Sequence, residues 1–151
     1  MALPRILIVE DGDEYITAYQ RFLGDRFAFR RAGDGDAAWS ALSDGDVDAV
    51  VLDMRFDRAD RLWGDAEALA ERLGDPGRVR RFLEDHQGTF ILAGLRDRGC
   101  RLPVVLSYDF GAEPRRFANL ERRYAPLRWL GDAAGPSEIA AALRDSLGSA
   151  G

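Results

Sequence analysis

The chain has 151 residues, of which 46% are hydrophobic and 31% charged, with a formal net charge of -5; this is the balance of a globular domain with a packed core, and it excludes a disordered or membrane-spanning chain. The acidic balance argues against a basic surface for nucleic acid, no apolar run is long enough for a bilayer and no signal-peptide core opens the chain, so one cytoplasmic domain over 1–151 is expected, without nucleic-acid or membrane partners. The only cysteine, Cys100, and the only histidine, His86, exclude a disulfide framework and a Cys/His zinc site within one chain, and all 21 basic residues are arginine.

Arg5-Ile-Leu-Ile-Val9 is a short apolar run of the kind found in strands buried on both faces, and it ends abruptly in Glu10-Asp11-Gly12-Asp13. Tyr15, Ile16, Tyr19, Phe22 and Leu23 then recur at helical spacing, with Gly24 as the stop. Phe27 to Ala32 reads as a second strand, Asp36 to Leu42 as a short helix, and Ala49-Val-Val-Leu52 as a third buried strand ending at Asp53. About 50 residues separate Asp53 from the next strand, roughly twice what one crossover helix needs. The stretch predicts helices over Asp65 to Leu73, over Pro76 to Gln87 and over Thr89 to Arg98. The second has Asp75 as N-cap, Pro76 at N1 and Gly88 beyond its end; the third stops at Gly99. Residues 57–88 are therefore expected to form an inserted helical hairpin. Pro103-Val-Val-Leu106 is the fourth strand, ending at Ser107; a helix over Pro114 to Arg123, a fifth strand over Leu127 to Leu130 and a helix over Pro136 to Leu147 follow. The small, polar tail Ser146 to Gly151 is expected to fray.

Five short apolar strands alternating with helices predict an α/β fold: a parallel sheet with helices on both faces, joined by right-handed crossovers. Ligands in such sheets bind outside the carboxyl ends of the strands, where Glu10, Asp11, Asp53 and Ser107 all fall. Carboxylates gathered there repel one another unless a hard cation sits between them, and oxygen ligands suit Mg²⁺. Beside such an ion a carboxylate can attack a phosphoryl group, which makes Asp53 the natural nucleophile and Ser107 a donor to a phosphoryl oxygen.

The runs Ile6-Leu-Ile-Val-Glu-Asp11, Ala49-Val-Val-Leu-Asp53 and Leu102-Pro-Val-Val-Leu-Ser107, in that order, resemble the signature strands of bacterial response-regulator receiver domains. The resemblance covers the chain apart from the inserted hairpin. It implies a flavodoxin-like strand order 2-1-3-4-5, Asp53 as phosphoacceptor, Glu10 and Asp11 as the acidic pair, and the backbone carbonyl of Arg55 as a further Mg²⁺ ligand. It also implies Ser107 as switch hydroxyl, a sensor histidine kinase or phosphotransfer protein as phosphoryl donor, and a downstream protein partner. Helices of the last βα unit often make receiver homodimers. The expected role is a signalling switch, not an enzyme.

The chain departs from that pattern in two places. Receivers carry a lysine, usually followed by proline, at the end of the fifth strand; here Leu127-Arg-Trp-Leu-Gly-Asp132 places Gly131 there, and the chain has no lysine. Arg128 is the cation in that strand, its direction left open by strand alternation, and Trp129 is the candidate for the rotating aromatic. After Asp53 the chain reads Met54-Arg55-Phe56-Asp57 where the family has a methionine-proline turn. A receiver that signals by binding alone, with the hairpin as its partner surface, is the alternative these departures leave. A Mg²⁺-dependent phosphohydrolase is disfavoured, because Asp53-Met54-Arg55 lacks the second acid of an Asp-x-Asp nucleophile motif. Trp39 reads as core, Trp63 as core or a mark of a partner surface, His86 as a solvated helix-end cation, Cys100 as inert, and Arg78 to Arg81 as a wet helix face.

Overall fold

Period-two alternation decides which face of each strand meets which helices. The computed structural model describes residues 2–149. Its elements run β1 (Arg5–Val9), α1 (Glu14–Leu23), β2 (Ala28–Ala32), α2 (Gly35–Ser43), β3 (Ala49–Asp53), α3 (Ala66–Leu73), α4 (Pro76–Asp85), α5 (Gln87–Asp97), β4 (Val104–Ser107), α6 (Pro114–Tyr124), β5 (Leu127–Leu130) and α7 (Pro136–Ser149). The strands form one parallel sheet in the order β2-β1-β3-β4-β5, as expected. Leu7, Val9, Val50, Leu52, Val104 and Leu106 pack under α2, α5 and α6. Their neighbours Ile6, Ile8, Ala49, Val51 and Val105 pack against Tyr19 and Leu23 of α1 and Ile139, Ala140 and Leu143 of α7. β2 is the exposed edge, with Arg30 and Arg31 in solvent, a charge pattern that discourages further strand pairing.

Extra helices follow β3, as the sequence predicts. α3 and α4 share a small core of Leu69, Val79 and Leu83, and Asp65 and Asp75 cap them by accepting from the backbone N–H groups of Ala68 and Gly77. One backbone bond ties this insertion to the segment leaving β3, and one side chain ties its own parts together. Phe56 is fully buried and its N–H donates to the Glu84 carbonyl at 2.9 Å. The buried Gln87 amide accepts from the Trp63 N–H at 2.7 Å and donates to the Trp63 and Leu83 carbonyls at 2.9 and 3.1 Å. Trp63 is an internal anchor and not a free partner surface. Its ring fills the space left by Gly35 and Gly94, with the Arg98 guanidinium 4.1 Å above it, and its Nε1–H donates to Asp36.

Two local expectations need correction. Gly88 lies beyond the end of α4, as expected, but inside the first turn of α5, which starts at Gln87 and not at Thr89. It is required there because a Cβ would collide with the Asp53 carbonyl oxygen and sit 2.8 Å from the Met54 Cα, while its N–H donates to the Met54 carbonyl at 2.9 Å. Gly88→Ala is therefore expected to push α5 off the end of β3 and to cost about 1–3 kcal/mol, read from urea unfolding. The tail, expected to fray from Ser146, stays helical through Ser149, with Ser146 buried; the remainder of that expectation, 150–151, lies outside the described residues. Among the described residues no helix is long and apolar enough to cross a membrane.

Candidate functional site

Asp53 and Ser107 are register partners at the carboxyl ends of β3 and β4. They open into a cleft of about 570 Å³. Asp53 is the last residue of its strand, and its Oδ1 accepts from the N–H of Met54 at 2.9 Å. Burial raises its carboxyl to about 7, and the fields of Asp11, Glu10 and Glu14 push the same way. Arg55 lines the cleft, but its guanidinium turns to Asp57 and Asp85 at 3.7 and 3.4 Å.

The acidic pair is engaged by the chain itself. Glu10 is buried, and its carboxylate accepts from the N–H groups of Tyr15 and Ile16 at 3.1 and 2.8 Å, so it caps the first turn of α1. Asp11, whose side chain is only 3% exposed, accepts from the Arg58 N–H at 2.6 Å, with the Arg58 guanidinium 3.8 Å away. Among the described residues no three His, Cys, Asp or Glu side chains are arranged to hold a metal ion. The carboxylates predicted to hold Mg²⁺ thus lie around one corner, with the donor atoms of Glu10 and Asp11 already hydrogen-bonded.

Several residues of the cleft carry no sequence signal for that role. Tyr15, read only as an apolar helix position, lines the cleft beside Asp53 and Ser107. Burial raises its hydroxyl, as do the fields of Asp53, Asp132 and Glu10. Asp132, just beyond Gly131, lines the cleft near the predicted lysine position. A carboxylate there adds to the negative field around Asp53 instead of opposing it. Arg128 lies elsewhere, beside Pro103 and Val104 at the opposite end of the sheet. Trp129 is partly exposed and meets Phe110 edge-on at 6.1 Å.

The insertion supplies one wall through Asp85 and His86. His86 is not a solvated cation. It packs on Phe82 at 4.4 Å, and its Nδ1 lies 3.0 Å from Nη2 of Arg116, which can only donate, so Nδ1 is the acceptor of a neutral ring. Burial and the Arg116 charge hold its pKa below the usual range. Arg116 also reaches Glu113 at 3.3 Å and lies over the Tyr108 ring, whose hydroxyl donates to Glu113 at 2.6 Å.

No family model matches the sequence, and no curated protein matches it. Solved structures do. The signal receiver domain of an HD-domain-containing protein from Pseudomonas fluorescens Pf-5 superposes with a TM-score of 0.66 at 16% identity, covering 99% of this chain and 90% of that one. The receiver domain of the Francisella response regulator 1452 gives 0.67 at 13% identity, covering 98% and 99%. The chain has the receiver fold. NtrX from Brucella abortus matches 98% of this chain at a TM-score of 0.69 and 18% identity, while this chain spans 27% of NtrX. At these identities the likeness establishes the receiver fold alone, so the chemistry rests on this chain's own residues.

Proposed function

We propose that this chain is a phosphorylation-independent receiver that acts as a protein-interaction module. One observation carries the reading: the acidic pair is engaged by the α1 N–H groups and by Arg58. With the Arg58 guanidinium beside Asp11 and Glu10 turned to α1, the residues present do not fit a Mg²⁺ ion, and the cleft offers Asp132, not lysine, at the end of β5. Exchange of phosphoryl chemistry for a partner surface is the simplest account of both departures. The insertion is the proposed contact. Between α3 and α4 it opens an apolar groove of about 460 Å³ floored by Leu62, Ala66, Ala70, Val79 and Leu83, a size and lining suited to the side chains of a docked protein segment.

The second reading, a Mg²⁺-dependent aspartyl-phosphate switch with Asp53 as acceptor, Ser107 as switch hydroxyl and a histidine kinase as donor, draws on the pairing of Asp53 with Ser107 at the mouth of one cleft. The two readings separate on incubation with acetyl phosphate or beryllofluoride, with and without Mg²⁺. The expected result is an unchanged intact mass and unchanged Trp129 fluorescence. Modification that needs both Mg²⁺ and Asp53, and disappears in Asp53→Asn, would overturn the binding-only reading. A possible homodimer through the last βα unit is checked in the same samples by sedimentation.

A further inference from the structure

We propose that Arg58 is the resident counter-ion of the acidic corner, fixed from within the chain in the place a divalent cation would need. The inference rests on the binding-only reading and deepens it. Arg58 sits in the loop between β3 and α3, 47 residues along the chain from Asp11, and meets it twice: its N–H donates to Oδ2 at 2.6 Å, and Nη2 lies 3.8 Å from Oδ1. The same Nη2 donates to both Glu14 oxygens at 3.0 and 3.1 Å. The guanidinium therefore bridges two carboxylates on either side of the turn that follows β1.

Gly12 makes this geometry possible. A Cβ there would collide with the Arg58 guanidinium and the Glu14 carboxylate, lying 2.7 Å from Arg58 Cζ. Gly12 thus leaves the room that the two side-chain ends occupy. Asp11 is shielded, with its side chain 3% exposed, while the Arg58 side chain is 55% exposed. The cation enters from solvent and covers the acid. A guanidinium brings one positive charge in a planar fork, and it offers a phosphoryl group none of the ligand exchange of a hydrated ion. The contact also ties the start of the insertion to the β1–α1 turn.

The test is Mn²⁺ binding, read from the loss of the free-ion EPR signal and from paramagnetic broadening of amide resonances, in wild type, Arg58→Ala and Arg58→Lys. Arg58→Ala keeps the backbone bond to Asp11 and removes only the side-chain charge, and the exposure of that side chain makes loss of the fold unexpected. It should gain Mn²⁺ affinity by about tenfold or more over wild type, with broadening centred on Asp11 and Asp53. Arg58→Lys should stay close to wild type. The gained site should vanish in Arg58→Ala/Asp11→Asn, which is compared by circular dichroism to confirm folding. Equal Mn²⁺ affinity in wild type and Arg58→Ala, or a gained site that survives loss of the Asp11 charge, overturns the counter-ion. Either result leaves the binding-only reading standing, because that reading fails only if Asp53 of wild type is modified by the phosphodonor.

Discussion

Asp53→Asn is expected to stabilise the protein above neutral pH and to leave it unchanged in acid. The folded carboxyl holds its proton up to about 7, against an ordinary value of 3.8. The folded state therefore binds more protons than the unfolded chain between those values. The neutral form fits without penalty below 3.8, and the favourable contribution is lost as pH rises to about 7. Fully expressed, such a displacement corresponds to roughly 4 kcal/mol, at about 1.4 kcal/mol per pH unit. Water entering the open cleft screens part of this, leaving about 2 kcal/mol as the expected gain at pH 8. The asparagine oxygen can still accept from the Met54 N–H, so the substitution removes the charge and little else. Urea unfolding of both proteins from pH 4 to 8 reads the difference. The profile also separates the two functional readings. Were Mg²⁺ to bind beside Asp53, it would favour the ionised form and erase the wild-type penalty at pH 8; if Arg58 holds that corner, added Mg²⁺ leaves the gap in place.

The sheet was legible because its signal is local. Each central strand is a run of apolar residues that stops at a polar one, and burial on both faces leaves no other way to satisfy Ile6 to Val9 or Val50 to Leu52. The cap Asp75 was legible for the same reason, since a side chain bonding two residues ahead is written in the spacing. The site divides along this line. That Glu10, Asp11, Asp53 and Ser107 gather at strand ends follows from where the runs stop. The direction each carboxylate takes does not. Glu10 turns to the N–H groups five and six residues ahead, and Asp11 meets an arginine whose approach depends on the path of an insertion without sequence precedent in the rest of the chain. Gly88 shows the complementary case. A glycine near a helix junction reads as a stop, yet its missing side chain is needed for contact with a strand 35 residues earlier, at Asp53. His86 owes its neutral ring to burial and to Arg116, brought to it by α6 from far along the chain, and neither is written in its sequence neighbours.

Arg96→Met is expected to be the most destabilising of these substitutions. Arg96 is buried on α5, and its guanidinium donates to four backbone carbonyls: Nε to Tyr124 at 3.0 Å, Nη1 to Cys100 and Leu102 at 3.0 and 2.8 Å, and Nη2 to Pro126 at 3.0 Å. Those carbonyls belong to the chain entering β4 and to the turn entering β5. The Pro126 carbonyl also accepts from the Val104 N–H and the Cys100 carbonyl from Arg101 Nη1, while those of Tyr124 and Leu102 rely on the guanidinium. Burial pulls the Arg96 pKa down, yet a guanidinium remains charged, and its planar fork serves carbonyls on two segments at once. Methionine fills the stem's volume and supplies no donor. Two carbonyls left without a donor, and two that keep only their second one, should cost about 3 kcal/mol or more, measured by urea unfolding. Arg96→Lys should recover less than half, because a single ammonium on a flexible stem cannot span both turns. Amide exchange should localise the loss, rising first in β4 and β5, where Val104 N–H bonds to the Pro126 carbonyl, while β1 and β3 stay protected. A loss below about 1 kcal/mol would mean that water replaces the guanidinium, and that β5 is held by its pairing with β4 alone.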